Sequence, residues 1–330
     1  MRFYDAEAVA ALGPAAAVQA ITDALRNGFD PAGDPARIPV ELDGGQLLLM
    51  PSQTSAAAGV KVATVAPGNP ARGRPRIQGV YLLFDADTLT PRAVLDGTAL
   101  TALRTPAVSV AAVIGRLPDR PLRVVIIGAG PQATGHATTL AAVRPLAAVT
   151  HLVRDPSRGP VGALALSCAS AEAALRSADV VVCATSARTP VFDSALLADE
   201  VVVVAVGSHE PEARELDAAL LGRATVVVED VATALREAGD VVLAIGEGML
   251  GPEELVPMSS VLTDVADVPA TGPVVFKGVG MAWEDLVVAL AVVDRASPFR
   301  GSTASPVVTC HSPAGHEPEP LLGPVVGKTG

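Results

Sequence analysis

The segment RVVIIGAGPQATGHA, residues 123–137, joins an apolar run to a helical pattern through a turn that contains two glycines. Gly128, Gly130 and Ala133 give the spacing G-x-G-x-x-A, and the helical pattern opens after Pro131. In a dinucleotide-binding turn the first glycine permits the bend, the second admits the pyrophosphate, and the small third residue lets the helix pack on the strand. A glycine turn in another doubly wound fold is the competing interpretation. The residues expected to contact the dinucleotide are Gly128, Gly130, Pro131, Gln132 and Ala133.

The chain downstream supplies the context that this motif requires. Between residues 122 and 290, apolar runs such as EVVVVAV and ATVVVED alternate with helical stretches. Near-continuous valine and isoleucine runs are typical of parallel strands covered on both faces. We therefore expect an α/β fold with a Rossmann-type, doubly wound parallel sheet. The linker RDPSRGPV after the second strand is too short for a crossover helix, so that helix is expected to be missing or reduced.

The first third of the chain has a different pattern of predicted helices and strands. Residues 5–27 carry a helical pattern with acidic residues early and Asn-Gly at its end, as helix polarity prefers. From about 37 to 96, apolar runs between Gly, Pro and Asp predict strands, with DADTLTP as a hairpin turn. Residues 97–117 return to helical spacing.

Composition and charge argue against several classes of protein. The 330 residues are 50% hydrophobic and carry a formal net charge of -11, so nucleic acid and anionic membranes offer no counter-charge. A small anionic ligand therefore needs a local basic pocket. The three cysteines lack metal-ligand spacing, which favours a reducing compartment. Without a signal-peptide layout or an apolar run near the roughly 20 residues that span a bilayer, the protein is expected in the cytoplasm.

The residues beyond about 297 are rich in Pro, Gly and Ser and show no sustained period, so we expect a disordered tail. Cys310, His311 and His316 in this tail imitate a metal-binding tract. One cysteine and two histidines are a weak ligand set in a flexible segment, and no metal site is predicted.

The end of the second strand, VTHLVRDPSRG, bears on the choice of nicotinamide cofactor. An acidic residue at this strand end usually holds the ribose hydroxyls of NAD, whereas arginine accommodates the 2'-phosphate of NADP. Arg154 comes first, Asp155 follows, and Arg158 is close. The pattern favours NADP(H), with Arg154 as a cofactor contact, and leaves NAD(H) possible because a shift of one residue exchanges Arg154 for Asp155.

Several segments together resemble the ornithine cyclodeaminase and mu-crystallin family. They include VLDGTALTALRTPAVS, VVIIGAGPQATGHA, VGSHEPEAREL and VVFKGVGMAWED, within a resemblance that spans roughly residues 3–295. The resemblance implies a homodimer whose Rossmann domain is inserted into an α+β domain for dimerisation and substrate binding. The implied segments are 1–115 plus 286–300 for substrate binding and dimerisation, 116–285 for the dinucleotide, and 301–330 for the tail.

The resemblance also implies roles for individual residues. Arg37, Lys61 and Arg104 match positions that grip a substrate carboxylate, and Thr105 matches a cofactor contact. Independently, a clamp of arginine with an adjacent lysine suits an amino-acid-like substrate in an otherwise acidic protein. Lys61 is also counted as a candidate catalytic residue.

The turn before the last helical segment is a second implied cofactor contact. Gly278 and Gly280 precede a helix that is expected to begin near Met281, and the resemblance suggests that this turn, with Gly280, lies against the nicotinamide. Asp285 is expected to stabilise the helix start or the domain junction.

His209 departs from the family pattern. It follows the strand EVVVVAV, at the carboxyl edge where open sheets bind ligands. The matching position of cyclodeaminases carries an aspartate credited with acid and base work, and neither Glu210 nor Asp217 is an obvious substitute. With an unperturbed pKa of about 6.5, His209 is a candidate proton donor. A contact to the cofactor ribose, or no role, is the alternative.

This departure favours an NAD(P)H-dependent reductase of small cyclic ketimine carboxylates, such as pyrroline-2-carboxylate, over a cyclodeaminase. Three alternatives stay open. The first is an ornithine cyclodeaminase in which His209 replaces the aspartate. The second is an amino-acid dehydrogenase, which requires free ammonia. The third is a non-enzymatic NADPH-binding protein, which the retention of Lys61 and Arg104 disfavours.

Overall fold

The structure, a computed structural model, describes residues 1–266, 268–269 and 271–296. Its first sheet has six strands, β1 (Arg2–Tyr4), β2 (Ile38–Leu42), β3 (Gly45–Gln53), β4 (Ala57–Val65), β5 (Ile77–Asp85) and β6 (Pro91–Asp96). They lie in the order β1-β6-β5-β4-β3-β2. The β1 strand is parallel to β6 and the other neighbours are antiparallel, which confirms the predicted strands and hairpin.

The first sheet is accompanied by helices α1 (Ala6–Ala10), α2 (Pro14–Arg26) and α3 (Gly97–Val113). The helical pattern expected over residues 5–27 is confirmed, and it is divided into two separate helices, α1 and α2. Gly13 between them has a φ of +79°, which a continuous helix excludes. Pro14 then starts α2, where a residue without an N–H group is tolerated.

The α3 helix lies in the interior of the protein. With the short 3-10 turn that follows it, Gly97–Arg116 is long and apolar enough to cross a membrane by length and composition alone. The expectation that no apolar run approaches the length needed to span a bilayer is therefore wrong. Of an 18-residue window of this stretch, 61% is buried inside the structure, and buried Arg104 lies within the stretch. Such burial is typical of a core helix.

The second sheet has eight strands, all parallel to their neighbours. They are β7 (Leu122–Ile127), β8 (Leu146–Val153), β9 (Leu164–Ala165), β10 (Val180–Cys183), β11 (Val202–Ala205), β12 (Thr225–Val228), β13 (Leu255–Pro257) and β14 (Val274–Lys277). Their order is β13-β12-β14-β11-β10-β7-β8-β9. The helices among them are α4 (Pro131–Val143), α5 (Ala169–Arg176), α6 (Ala218–Leu221), α7 (Val231–Glu237), α8 (Gly239–Gly246) and α9 (Met258–Leu262). The expected α/β fold with a parallel sheet is confirmed.

The connection from β8 to β9 lacks a crossover helix. This fully described segment contains a 3-10 turn at Pro156–Arg158 and no α-helix, as predicted from its length. The edge of the sheet beside β8 is therefore more open than in a complete Rossmann unit.

The last helix, α10 (Ala282–Arg295), leaves the second sheet after β14 and packs against α2, α3, β3 and β4. One apolar cluster runs from the first sheet through α3 and α10 to one face of the second sheet, and another covers the opposite face. The predicted boundary between residues 285 and 286 falls in the first turn of α10. The domain limits stay a prediction, and residues 297–330, which include the proposed tail, lie outside the described residues.

Candidate active site

The turn after β7 has the geometry that the glycine motif predicts. Gly128 has a φ of +123°, and a Cβ atom there would lie 2.5 Å from the carbonyl oxygen of Ala184. Gly130 precedes α4 and Pro131 occupies its first turn. Ala133 is fully buried, which allows α4 to approach the strand. The amino end of α4 therefore faces the carboxyl edge of the sheet, as anion binding requires.

A cleft of about 1080 Å³ lies beside this turn. Its lining includes Gly128, Gly130, Arg154, Arg158, Thr185 and Arg188. Three of the proposed cofactor residues are in this set. The other five are not among the lining residues: Thr105, Pro131, Gln132, Ala133 and Gly280.

Two of those five residues carry polar atoms that lack partners. The side-chain oxygens Oγ1 of Thr105 and Oε1 of Gln132 are buried and take part in no hydrogen bond within the described part of the chain. Buried polar groups are normally paired, so such atoms suit a ligand that bonds there. This feature, together with the open cleft and the glycine turn, fits a dinucleotide.

The end of β8 presents two arginines and an aspartate to the cleft, Arg154, Arg158 and Asp155. Asp155 accepts hydrogen bonds from the hydroxyl (2.7 Å) and the backbone N–H (3.0 Å) of Ser157. These bonds lower the pKa of Asp155. Arg154 and Arg158 are exposed and line the cleft. The local turn thus engages one oxygen of Asp155, Oδ1, and leaves both arginines beside it in the cleft.

Lys61 and Arg104 meet in the interior, beside α10. Lys61 lies on the buried face of β4, and Arg104 lies on α3. Lys61 Nζ is 2.6 Å from Asp285 Oδ2, and Arg104 Nη1 is 2.6 Å from Glu284 Oε2. Arg104 Nε is also 3.4 Å from Asp285 Oδ1. Asp285 therefore joins α10 to both basic residues.

Burial changes the titration of this cluster. Desolvation lowers the pKa of Lys61 to about 8, against the opposing effect of Asp285. Desolvation and the neighbouring Glu229 raise the pKa of Glu284 well above its usual range. Desolvation opposes the charge of Arg104, but its three acidic neighbours together outweigh this effect and raise its pKa, so Arg104 stays charged.

Gly280 brings the turn after β14 into contact with Arg104. Glu229, at the end of β12, accepts the N–H groups of Val279 (2.8 Å) and Gly280 (2.9 Å). Gly280 has a φ of +80°, and a Cβ atom there would lie 2.9 Å from both Nη atoms of Arg104. Only glycine combines this backbone conformation with such a close approach.

Arg37 is placed differently from the other two basic residues. It donates to the carbonyl oxygens of Val279 (3.2 Å) and Gly280 (2.8 Å) and forms a 2.8 Å ion pair with Glu237. It is partly buried and lines a small cavity of about 120 Å³, which Asp34 also lines. Arg37 thus contacts the backbone of the Gly280 turn and pairs with a different acidic residue from Lys61 and Arg104.

His209 lies in the loop after β11 and is exposed. Partial desolvation by the surrounding protein lowers its pKa below the ordinary value, and the positive charges of Arg37 and Lys277 add to this effect. His209 is therefore mainly neutral at pH 7. The next residue, Glu210, pairs with Arg188 on the wall of the cofactor cleft.

Sequence reasoning did not find Glu229, Glu284 or Asp34. Glu229 carried a signal, because it ends the strand ATVVVED at the carboxyl edge of the sheet. Glu284 stands beside Asp285 in the same helix start, where the sequence pattern indicates only a structural role. No sequence pattern pointed to Asp34. In the structure, burial raises its pKa to about 6, and it accepts a hydrogen bond from the backbone N–H of Trp283.

No group of three or more His, Cys, Asp or Glu side chains in the described ranges could hold a metal ion. The weak tract at Cys310, His311 and His316 lies outside those ranges.

The model of the ornithine cyclodeaminase/mu-crystallin family matches residues 9–299. The chain belongs to this family. Delta(1)-pyrroline-2-carboxylate reductase 2 of Burkholderia ambifaria is 34% identical over 277 residues, which cover 81% of this chain and 86% of the relative. The Delta(1)-pyrroline-2-carboxylate/Delta(1)-piperideine-2-carboxylate reductase of Azospirillum brasilense is 36% identical over 76% of this chain and 81% of its own length.

A solved structure in the family has the same fold. The Thermococcus litoralis Delta(1)-pyrroline-2-carboxylate reductase, in complex with NADH and L-proline, aligns with a TM-score of 0.80 and 25% identity. The alignment covers 90% of this chain and 97% of that one. The resemblance seen in the sequence is confirmed.

Proposed function

We propose that the protein is an NAD(P)H-dependent reductase of small cyclic ketimine carboxylates, for example of pyrroline-2-carboxylate to proline. The observation that carries the proposal is the buried pair Lys61 and Arg104 beside the Gly280 turn, at the carboxyl edge of a dinucleotide-binding sheet. Family relatives at 34% and 36% identity are named for this reaction, which supports the same substrate class.

The cofactor is held by the cleft beside the glycine turn. Gly128 and Gly130 let its pyrophosphate approach the amino end of α4, where backbone N–H groups are free to donate. The unpaired oxygens of Thr105 and Gln132 offer further hydrogen bonds. When bound, the reduced nicotinamide supplies a hydride.

Arg104 and Lys61 bind the substrate carboxylate. Both are nearly buried, with 7% and 5% of their side chains exposed, so a carboxylate that reaches them leaves water and is bound strongly. Arg37 adds positive charge beside the Gly280 turn.

Lys61 supplies the proton that the imine nitrogen needs as hydride arrives at the adjacent carbon. With a pKa of about 8, it is charged at pH 7 and releases a proton more readily than an ordinary lysine. Asp285 holds its ammonium group in place. His209, which is mainly neutral, contributes a hydrogen-bonding group from the edge of the site.

NADPH is the favoured cofactor, and NADH is a possible one. Arg154 and Arg158 are both exposed in the cleft, where they can bind a 2'-phosphate. Asp155 lines the same cleft, with one oxygen bonded to Ser157, which leaves NADH possible. The T. litoralis relative was solved with NADH. In this chain, the two arginines are proposed to set a preference for NADPH over NADH.

The homodimer is proposed to form through the outer face of the first sheet. One cross-strand row of apolar side chains on this face consists of Ile38, Leu49, Val62 and Val80. Ile38 is 51% exposed and Val80 is 40% exposed, and contiguous exposed apolar patches mark interfaces. Light scattering after gel filtration should give twice the chain mass, and Ile38→Glu with Val80→Lys should give monomers.

The cytoplasm is the proposed compartment. Cys168 and Cys183 are free thiols, which fits a reducing environment. Fractionation of cells that express the protein would test this location.

The function is tested by following NADPH oxidation with pyrroline-2-carboxylate and, separately, piperideine-2-carboxylate. Ammonia release from ornithine with NAD is measured in parallel, and an open-chain keto acid with ammonia tests for a dehydrogenase. We expect rapid NADPH oxidation with the cyclic imines and no ammonia from ornithine. Proline and ammonia from ornithine, without imine reduction, would mean that His209 replaces the cyclodeaminase aspartate.

A further inference from the structure

A buried charge cluster lies beneath the loop that carries His209 and takes no part in the proposed reaction. It consists of Lys277 at the end of β14, Asp240 in the first turn of α8, and Glu215 at the end of the loop. Each is at most 1% exposed. Burying charges is unfavourable unless they are paired and hydrogen-bonded, so the arrangement calls for an explanation.

The ammonium group of Lys277 connects two segments of the active site. It donates to the carbonyl oxygen of Ser208 (2.5 Å), directly before His209, and to that of Gly278 (3.2 Å). Gly278 begins the turn that reaches Arg104 through Gly280. The same Nζ atom lies 3.3 Å from Asp240 Oδ2.

The two carboxylates hold both ends of the His209 loop. Asp240 Oδ1 accepts the N–H groups of Glu215 (2.7 Å) and Leu216 (2.8 Å). The carboxylate of Glu215 accepts the N–H of Gly207 at the start of the loop and the N–H and hydroxyl of Thr185, all at 2.7 Å. Thr185 lines the cofactor cleft, so the cluster also connects the loop to that wall.

The local sequence is adapted to this network. A Cβ atom on Gly207 would lie 2.1 Å from the carbonyl oxygen of Thr185 and 2.5 Å from Glu215 Oε1. Likewise, a Cβ atom on Gly239 would lie 2.0 Å from the carbonyl oxygen of Ala213. Since apolar residues often replace a buried ion pair without loss of stability, stability alone does not explain these charges.

We propose that Lys277 is a positioning residue that fixes the His209 loop and the Gly278–Gly280 turn relative to each other. The two segments face the substrate site from different strands, β11 and β14, and Lys277 is the donor that both share. Misplacement of reacting groups by about 1 Å reduces rates by up to roughly a hundredfold. The consequence for turnover rests on the proposed function, whereas the effect on the loop does not.

The informative variant is the double substitution Lys277→Met with Asp240→Asn. It removes both charges of the ion pair together, while the carboxylate of Glu215 keeps its hydrogen bonds to Gly207 and Thr185. The oxygen of the introduced amide still accepts the two loop N–H groups. The introduced thioether has no hydrogen to donate to Ser208 or Gly278. The matched control is Arg120→Met with Asp179→Asn, which removes an ion pair at the opposite, amino edge of the strands.

We expect the Lys277/Asp240 variant to unfold within a few degrees of the wild-type temperature and to lose about tenfold or more in kcat. Its Kd for NADPH should stay within about threefold of wild type, because Glu215 still holds Thr185. Amide hydrogen exchange should become faster in residues 207–216. The control should change none of these quantities beyond its effect on stability.

The proposal would be overturned if the folded Lys277/Asp240 variant kept the wild-type kcat and the wild-type rate of amide exchange. It would also be overturned if kcat and exchange changed as much in the Arg120/Asp179 control. If the wild-type enzyme reduces none of the imines, the proposed substrate class fails. The exchange experiment then decides about Lys277 on its own. If the double variant does not fold, Lys277→Met alone is measured in the same way. It removes the donor to Ser208 and Gly278 and leaves Asp240 bound to the N–H groups of Glu215 and Leu216.

Discussion

The cofactor cleft and the Lys61–Arg104 cluster both adjoin loops at the carboxyl edge of the second sheet, but they are built by different means. The cleft is formed by short, continuous segments, the glycine turn after β7 and the arginines after β8. The cluster unites side chains from β4, α3, β12 and α10, which are far apart in sequence. A local motif specifies the first region, whereas long-range packing creates the second.

The two regions also differ in solvation. Arg154 and Arg158 are exposed, so each of their contacts is screened by water. Lys61 and Arg104 are buried among Glu229, Glu284 and Asp285, where charges interact strongly. Substitutions in the buried cluster should therefore have larger effects than substitutions in the cleft, and should affect imine turnover rather than cofactor affinity.

The largest effect is expected for Arg104→Met. It removes the main partner of the substrate carboxylate, and breaking a buried pair costs about 3–5 kcal/mol. We expect kcat/KM for pyrroline-2-carboxylate to fall about a thousandfold while the Kd for NADPH changes less than about threefold. Steady-state kinetics and fluorescence titration measure the two quantities. Arg120→Met serves as the control. If Arg104→Met weakened NADPH binding as much as it lowered kcat/KM, the cluster and the cleft would not have separate roles.

Gly280→Ala should have the next largest effect, with Gly13→Ala as its matched control. The two glycines have φ values of +80° and +79°, which side chains rarely adopt, so both substitutions introduce backbone strain of about 1–3 kcal/mol. At Gly280 the new methyl group also meets Arg104, whereas at Gly13 it meets nothing within 4 Å. We expect Gly280→Ala to lower kcat/KM about tenfold or more beyond the control. Equal activities of the two variants would show that the turn does not position Arg104.

The pH dependence of turnover should report on Lys61. Since its pKa is about 8 and the charged form donates the proton, kcat should fall about tenfold per pH unit above pH 8. Asp285→Asn removes the carboxylate that raises this pKa, so the decline should move to lower pH. A decline that stays in place would exclude Lys61 as the acid.

The same group affects stability in the opposite sense. The folded-state pKa of about 8 lies below the ordinary value of 10.5, so the unfolded chain binds more protons between these values. The contribution of Lys61 to the free energy of unfolding therefore rises with pH across this interval. Urea unfolding of wild type and Lys61→Met at pH 8 and pH 10 separates this contribution.

The smallest effect is expected for Arg154→Ser with Arg158→Ser. Exposed ion pairs contribute about 1 kcal/mol or less, so the Kd for NADPH should rise about fivefold. The Kd for NADH should be unchanged, because NADH lacks the 2'-phosphate. If the Kd values for NADPH and NADH rose equally, the arginines would contact the pyrophosphate, which both cofactors share.

Parts of this molecule that depend on local sequence could be predicted. The parallel sheet, the glycine turn and the missing helix after β8 each follow from contiguous residues. The break between α1 and α2 depends on the φ of Gly13, which a helical hydrophobic pattern does not show. The pairing of Lys61 with Asp285 joins residues 224 positions apart, so no local pattern encodes it.

The central claim is that Lys61 and Arg104 bind the carboxylate of a cyclic imino acid next to the nicotinamide. A crystal structure of the protein with NADPH and L-proline tests it most directly. The account predicts the proline carboxylate within hydrogen-bond distance of Arg104 and Lys61, with its ring against the nicotinamide. A carboxylate bound by Arg37 or His209 alone, with Lys61 and Arg104 still paired only to α10, would contradict it.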